Sequence, residues 1–508
     1  MRAVVPAGLS ITAVVIALLA GATMVGGPLS QEIASAAKVA HFDGVWTTGW
    51  QVQNLDASRT ATITATYYDT NGTAVLTDSR QVGPLAGHTF FPMPVTGGFD
   101  GSVVVQSDTE IAAVANLVRQ QPSEMSGSYS AISAISETVY VPLLQRNNGG
   151  TQSELFIQNA SSVPVTVTVA FKPSGLPGRS TREITTDPQT IQPGASYRMD
   201  QTTQTALDGP DEHGTESDKW VGSATITSVG GPVGAIVNQS DGEGLMSYSG
   251  FHEGGPILYA PLVQDLNGAE QWITGIQLQN IGDTESTVTA MVDGVALEFG
   301  DEATCANPNN ANELIIPAGS PCTIFPLKFN RAEVSNQTPF KYGGAIFQGS
   351  QGSRLVGIVN QINTLGTAQQ TAYGMFTSAG GNQIFLPLLQ HNNPNDQGFV
   401  SGIAVMNTGS DPVSIRIYDP DGEVGAVCHY ADQRPGEELT IRPGESCIIY
   451  PILQGNRITA TNYTKAGRIE APAGATLQVI VNQVDLTDPA GDTFMTYEGF
   501  TRRSPGGS

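Results

Sequence analysis

Asn116, Asn238, Asn360 and Asn482 each close an apolar run, and each lies 122 residues after the one before. The surrounding words agree: AAVAN, GAIVNQ, VGIVNQ and QVIVNQ. A chain with this period folds as a tandem array, so a chemical role for one residue has to be weighed against its counterparts in the other repeats. The length of 508 residues predicts three to four domains at roughly 150 residues each, and the period selects four.

Within the period, apolar residues alternate. The segments ending at Asn54, Asn159, Asn280 and Asn407 place Trp50 and Val52, Leu155 and Ile157, Ile276 and Leu278, and Ile403 and Val405 at every second position. That spacing puts them on one sheet face, against a core, and turns the intervening glutamines outward. β-rich runs follow, ending at Gly72, Gly175, Gly294 and Gly422, where glycine tolerates the positive φ of a hairpin. Further turns at Gly87, Gly194, Gly319 and Gly444 precede strands led by Gly101, Gly222, Gly344 and Gly467 and closing phrases around Tyr129, Tyr248, Tyr373 and Tyr497. Leading phrases VYVPLLQ, LYAPLVQ and IFLPLLQ open the last three repeats, and the first has no clear equivalent. About seven strands per repeat suit an antiparallel sandwich, which buries two amphipathic sheets against each other. A propeller fits less well, because its blade holds four strands in roughly 40 to 50 residues.

Met1-Arg2 precedes an apolar stretch containing TAVVIALLAG, the pattern of an export signal. Small residues at 34–37 suit a signal peptidase, giving a mature start near Ala37 or Lys38; the alternative is an uncleaved N-terminal anchor, since 3–29 exceeds the about 20 apolar residues that cross a bilayer. The expected divisions are a signal peptide or anchor at 1–37, modules at 38–132, 133–252, 253–377 and 378–502, and a tail at 503–508. Junctions with almost no linker predict a stiff array. A net charge of −23 with no basic stripe excludes nucleic acid as a partner.

Over residues 38–502, the repeat length, strand pattern and export signal resemble the tandem immunoglobulin-like sandwich repeats of bacterial surface-layer, sheath, filament and adhesin proteins. The resemblance implies an all-β chain of four tandem antiparallel Ig-like β-sandwich modules after an N-terminal export signal helix. It also implies an extracellular structural or adhesive role at the cell surface. The partners expected are further copies of the chain or other surface proteins; an array of carbohydrate-binding modules, with extracellular polysaccharide as the ligand, is the alternative.

The residues that could carry chemistry are few. Cys305 with Cys322 and Cys428 with Cys447 occupy matching places, and repeat equivalence favours one disulfide inside each of the last two modules. The loop holding Asp208, Asp211, Glu212, His213, Glu216 and Asp218 is the densest set of hard-metal ligands, so calcium is the cofactor to test, although the spacing matches no EF-hand and favours a solvated acidic loop. Trp46, Trp272 and Phe399 are equivalent to one another and could form sugar platforms or pack at edges and junctions. The repeated asparagines are expected to cap or bridge backbone groups, and the repeated tyrosines to pack, with hydroxyls tied to a neighbouring strand. The chain has no HExxH, GxSxG, phosphate loop or dinucleotide motif, and its histidines do not recur at equivalent positions, so no enzyme is expected.

Overall fold

The alternating segments form strands where a period of two predicts them. The computed structural model describes residues 11–15, 42–121, 123–132, 134–268, 271–329, 341–365, 369–391, 398–430, 439–450, 463–485 and 491–502. These are nearly all β and antiparallel, and helix among them is limited to short 3-10 turns at Gln201–Thr203 and Thr205–Leu207. The expected cleavage stretch at 34–37 and the tail at 503–508 lie outside the described residues.

Each repeat uses the same strand order. The second strand is Val45–Asn54, Gln152–Gln158, Trp272–Asn280 or Phe399–Asn407. It pairs on one side with a fourth strand, Gly87–Phe90, Ser196–Asp200, Pro321–Ile324 or Ser446–Ile449. On the other side it pairs with a sixth strand, Ile111–Gln121, Gly234–Ser240, Leu355–Asn363 or Leu477–Asp485. The sixth pairs in turn with the closing strand, Met125–Ser130, Leu245–Ser249, Gln370–Gly374 or Phe494–Glu498. A facing layer joins the third strand (Ala61–Asp69, Val165–Pro173, Ser286–Val292, Arg416–Asp419) to the fifth (Gly101–Ser107, Trp220–Val229, Tyr342–Gly349, Tyr463–Glu470). In the last three repeats a lead strand, Thr138–Arg146, Ile257–Asn267 or Gln383–His391, completes that layer beside the fifth.

The alternating residues meet between the layers. Trp50, 2% exposed, stacks on Phe90 with ring centroids 3.8 Å apart and donates from Nε1 to the Tyr67 hydroxyl at 3.3 Å. Both disulfides form inside their own repeats, Cys305 with Cys322 and Cys428 with Cys447, pinning the fourth strand to the loop before it. Such loops stabilise by roughly 3 kcal/mol each on a chain-entropy argument.

The four closing strands neighbour one another in succession and return, the last lying beside the first. At one end Asp492 accepts from the Leu245 N–H at 2.6 Å and the Gln370 N–H at 3.1 Å, while its own N–H donates to the Glu124 carbonyl at 3.1 Å. At the other, the Ser249 hydroxyl donates to the Ser130 carbonyl at 2.9 Å and the Gly374 N–H to Glu498 Oε1 at 2.6 Å. The strands therefore run in one direction about a common axis, and the chain closes into a ring. Heterologous contacts close in this way when successive rotations complete a circle.

Closure corrects two expectations. The glutamines between the core positions do point away from their own core, yet Gln51, Gln53, Gln158, Gln277 and Gln279 are all at most 3% exposed. At the meeting of the fourth and first repeats, Gln51 Nε2 donates to the Pro387 carbonyl and Gln53 Nε2 to the Gly467 carbonyl at 3.1 Å, whereas Gln277 accepts from the Thr323 hydroxyl of its own repeat. A buried amide is costly without partners, and Gln158 is the exception here, with both amide atoms unmatched. The stiff array is likewise a ring, sharing the circular logic of a propeller but with two layers in each unit.

The landmark asparagines bind side chains where backbone partners were expected. The Oδ1 atoms of Asn116, Asn238 and Asn482 accept from the hydroxyls of Ser128 at 2.9 Å, Ser247 at 2.8 Å and Thr496 at 2.7 Å, their direct cross-strand partners on the closing strands. The partner of Asn360 is Ala372, and Asn360 Oδ1 is buried with nothing to accept from. Ala372→Ser restores the hydroxyl in a place where it fits in the other repeats. A gain of about 1 kcal/mol is expected, read as a higher denaturant midpoint at unchanged slope; a lower midpoint would show that the site is too tight.

The first repeat differs where the sequence lacks a leading phrase. Ile11–Val15 pairs antiparallel with Gly101–Ser107, Ile11 opposite Ser107 and Val15 opposite Val103, in the slot that lead strands fill elsewhere. The sequence places this segment in an export helix, whereas its backbone pairs with a sheet edge that offers a ladder of partners.

Candidate functional site

Three exposed aromatic rings recur at one position of the ring. Phe91, Phe325 and Tyr450 each follow a fourth strand and are 48%, 48% and 41% exposed. Each lies over a glycine of the second strand: a Cβ at Gly49, Gly275 or Gly402 would stand 3.0 Å from the Cδ2 atom of Phe91, Phe325 or Tyr450. Glycine is what lets each ring lie against the strand. Because the closing strands run in one direction, these positions share one end of the ring, the end at which Asp492 joins the closing strands.

The second repeat breaks the pattern. Glu154 replaces the glycine and Asp200 stands opposite it in place of the aromatic residue. Arg198 donates to Glu154 through Nε at 2.9 Å and through a second guanidinium nitrogen. Asp100 and Phe42 of the first repeat border the same cleft. Burial pushes the Glu154 carboxyl up to about 7, outweighing the pull of Arg198; Arg198 is in turn raised, because its carboxylate neighbours overcome its own desolvation. The fourth position is thus an acidic and cationic pair instead of a ring.

Beside Phe91 the seam between the fourth and first repeats leaves a cavity of ≈ 120 Å³. Its wall includes Thr47, Thr89, Gln120, Glu124 and Thr464 around the ring and Gly49. An aromatic face flanked by hydroxyls, amides and a carboxylate can take a ligand that is apolar on one side and hydroxylated at its edge.

The axis carries two further acids. Burial raises the Asp492 carboxyl well above its usual range, against the backbone N–H groups of Leu245, Gln370 and Phe494, which favour its charge. Glu498 is raised too, first by burial and in spite of hydrogen bonds from Ser130 and Gly374, although its side chain retains some exposure at the ring mouth. Acids whose folded pKa lies above the unfolded value contribute stability that is fully present below the unfolded value and lost as pH rises through the folded one. The thermal midpoint is therefore expected to fall from pH 5 to pH 8, with Glu154 alone accounting for about 2 kcal/mol. Glu498→Gln keeps an oxygen for Gly374 and an amide donor for Ser130, and should flatten part of that fall in calorimetry. In strong acid the slope reverses, because backbone N–H groups of Ser58 and Arg59 hold Asp56 down at about 2.

The residues singled out from sequence lie elsewhere or are already engaged. Trp46 donates from Nε1 to the Phe42 carbonyl at 2.8 Å beneath the Arg119 guanidinium, Trp272 packs 4.8 Å from Phe494 of the fourth repeat, and Phe399 is only 5% exposed in the seam. Trp46 is thus engaged within its own repeat, and Trp272 and Phe399 where repeats meet. The acidic loop is a small hairpin in which Gly209–Pro210 pairs with Glu216–Ser217. Asp208 is held by Arg146 at 2.8 Å, Asp211 accepts the N–H groups of His213 and Thr215, Glu212 accepts from the Gly178 N–H, and Asp218 binds Asn147. Glu216 is exposed. Among the described residues no three such side chains converge as a metal site, so the loop does not gather the calcium ligands that its composition suggested. The aromatic triad was missed, although its signal was present: Phe91, Phe325 and Tyr450 each precede a proline at the same offset from a fourth strand.

No protein-family model matches the chain, and no curated protein matches it in sequence. Three solved structures show low likeness. The crystal structure of Thermotoga maritima 1070 is 17% identical and covers 24% of this chain and 96% of its own, at a TM-score of 0.17. That of a tetra-tandem repeat in the extending region of a large adhesion protein is 10% identical and covers 91% and 96%, at 0.09. The C-terminal domain of the Streptococcus pyogenes antigen I/II-family protein AspA is 7% identical and covers 52% and 92%, also at 0.09.

Proposed function

We propose that this chain is an exported, noncatalytic adhesive protein of the cell surface, a ring of four Ig-like sandwich modules that presents Phe91, Phe325 and Tyr450 to an extended extracellular polysaccharide. The observation that carries this reading is the repetition of an exposed ring over a glycine in three equivalent places. A pyranose presents C–H groups on its face and hydroxyls at its edge, matching an aromatic ring beside Thr47, Thr89 and Gln120. Several weak sites on one rigid body bind a repeating polymer far more tightly than one site does.

The remaining features support a binding role over catalysis. Strongly shifted acids often mark active sites, but here Glu154 is paired with Arg198 of its own repeat, and Asp492 and Glu498 accept from backbone groups of neighbouring repeats. The disulfides suit an oxidising compartment. The test is retention of the purified chain on a panel of insoluble polysaccharides, together with immunogold microscopy of the native cell surface. Retention with surface label is the expected result. Absence of retention, with concentration-dependent ring assembly in sedimentation, would instead assign the aromatic face to contacts between copies.

A further inference from the structure

The first repeat holds a strand-acceptor site that its resident strand fills incompletely. In the later repeats the lead strand contributes more than a ladder. It bulges at Pro142-Leu143, at Pro261-Leu262 and at Pro387-Leu388, where the register shifts. The bulged leucine meets the closing-strand tyrosine: Tyr248, Tyr373 and Tyr497 donate to the carbonyls of Leu143, Leu262 and Leu388 and accept from their N–H groups. Tyr129 is the counterpart in the first repeat. It is 2% exposed, and its hydroxyl is buried with no partner. A buried hydroxyl left unmatched costs about 1–3 kcal/mol.

The resident strand matches only the first half of this pattern. Thr12 to Val15 stand opposite Gln106 to Val103 as Thr138 to Val141 stand opposite Thr227 to Ala224. After Val15 the sequence reads Ile-Ala-Leu, with no Pro-Leu. A second difference concerns the position after the landmark asparagine. Gln239 and Gln361 accept from the lead-strand glutamines Gln145 and Gln264 at 2.7 Å, whereas the first repeat has Leu117 there, 2% exposed. Leu117 calls for an apolar residue where lead strands carry glutamine. Cleavage near Ala37, as the sequence predicts, would remove the resident strand altogether and leave the Gly101–Ser107 edge unpaired.

We infer that the Gly101–Ser107 edge binds a β-strand donated by a separate exported polypeptide, one with alternating apolar residues, then Pro-Leu, then an apolar residue in place of glutamine. The donated main chain extends the sheet, a recognised mode of peptide capture, and its bulged leucine supplies the Tyr129 hydroxyl with both an acceptor and a donor. The pairing makes no use of the aromatic face, so the ring could hold a protein anchor and a polysaccharide at once.

The probe is a labelled peptide copying residues 137–146 with Leu in place of Gln145, titrated against the full chain by fluorescence anisotropy. Saturable binding is expected for the wild type. Val15→Cys with Val103→Cys, oxidised, ties the resident strand in place and should weaken binding at least 10-fold, with recovery on mild reduction. Tyr129→Phe removes both hydrogen bonds of the hydroxyl and should weaken the peptide at least about 5-fold, the effect of a single bond, while leaving the melting temperature of the unliganded chain unchanged or higher. An Ala13→Pro, Val14→Pro variant, whose resident segment cannot pair, should bind more tightly than the wild type. Equal binding by the locked variant, equal binding of a scrambled peptide, or no binding by either the wild type or a folded proline variant overturns the proposal.

Discussion

Replacing Phe91, Phe325 and Tyr450 together by alanine is expected to reduce retention on a polysaccharide ligand by more than about 100-fold, whereas each single replacement costs about 3- to 10-fold. The disproportion is the informative part. One ring contributes a modest contact, on the order of 0.5–1.5 kcal/mol beyond its area, but rings fixed on one rigid body raise the local concentration for the next contact on a repeating chain. All three rings are at least 41% exposed, so truncation should change stability by no more than about 0.5 kcal/mol per site. Unchanged melting with lost retention separates binding from folding. Tyr450→Phe keeps the face and loses only the hydroxyl, so it should behave almost as the wild type. Additive losses would point to independent sites, and wild-type retention by the triple variant would sink the polysaccharide reading.

The second large effect concerns the seam. Phe385 of the fourth repeat is fully buried in a small cluster with Leu55 and Ala112 of the first, flanked by Leu85 and Phe500. It lies outside the main core of its own repeat, so removing it attacks closure more than module folding. Phe385→Ala is expected to cost about 3–5 kcal/mol, and Phe385→Asp more, since it also places an unpaired charge in the seam. The other junctions are joined by short stretches of chain, whereas the seam is held only by noncovalent contacts, including Gln53 to Gly467 at 3.1 Å and Asn116 to Gln483 at 3.1 Å. The Phe385→Asp chain should therefore open between its first and last repeats, with a larger radius of gyration in small-angle scattering and an added early transition on heating. An unchanged radius would mean that the contacts along the axis suffice to hold the ring.

Much of the fold could be read from local pattern. Alternation at Trp50 and Val52 or Ile276 and Leu278 dictates strands, because burial on one face of a pleated sheet requires it. Equivalent cysteines in neighbouring repeats identified the bridges, since pairing across repeats would break the equivalence. The missing leading phrase was also visible, but what takes its place was not: the segment 11–15 reads as a hydrophobic leader, and a short apolar run is compatible with helix or strand until an edge is available. The candidate site was the least legible part. Trp46, Trp272 and Phe399 attract notice as aromatic residues at repeat-equivalent positions, yet Trp46 is engaged by Phe42 and Arg119 of its own repeat and the other two lie where repeats meet. Phe91, Phe325 and Tyr450 look like the last residues of apolar runs, and their exposure depends on where the chain turns away.

The sequence alone determined what recurs at short range: the period, the strands, the turns and the covalent bridges, all of which follow from side-chain alternation and backbone preferences within one repeat. Only the tertiary structure decided that the repeats meet in a ring, that glutamines placed for solvent are buried against a neighbour, and that three rings lie at one end. Those outcomes rest on contacts between residues hundreds of positions apart, such as Gln51 with Pro387. Polar side chains carry no local mark of whether water or another repeat will satisfy their hydrogen bonds.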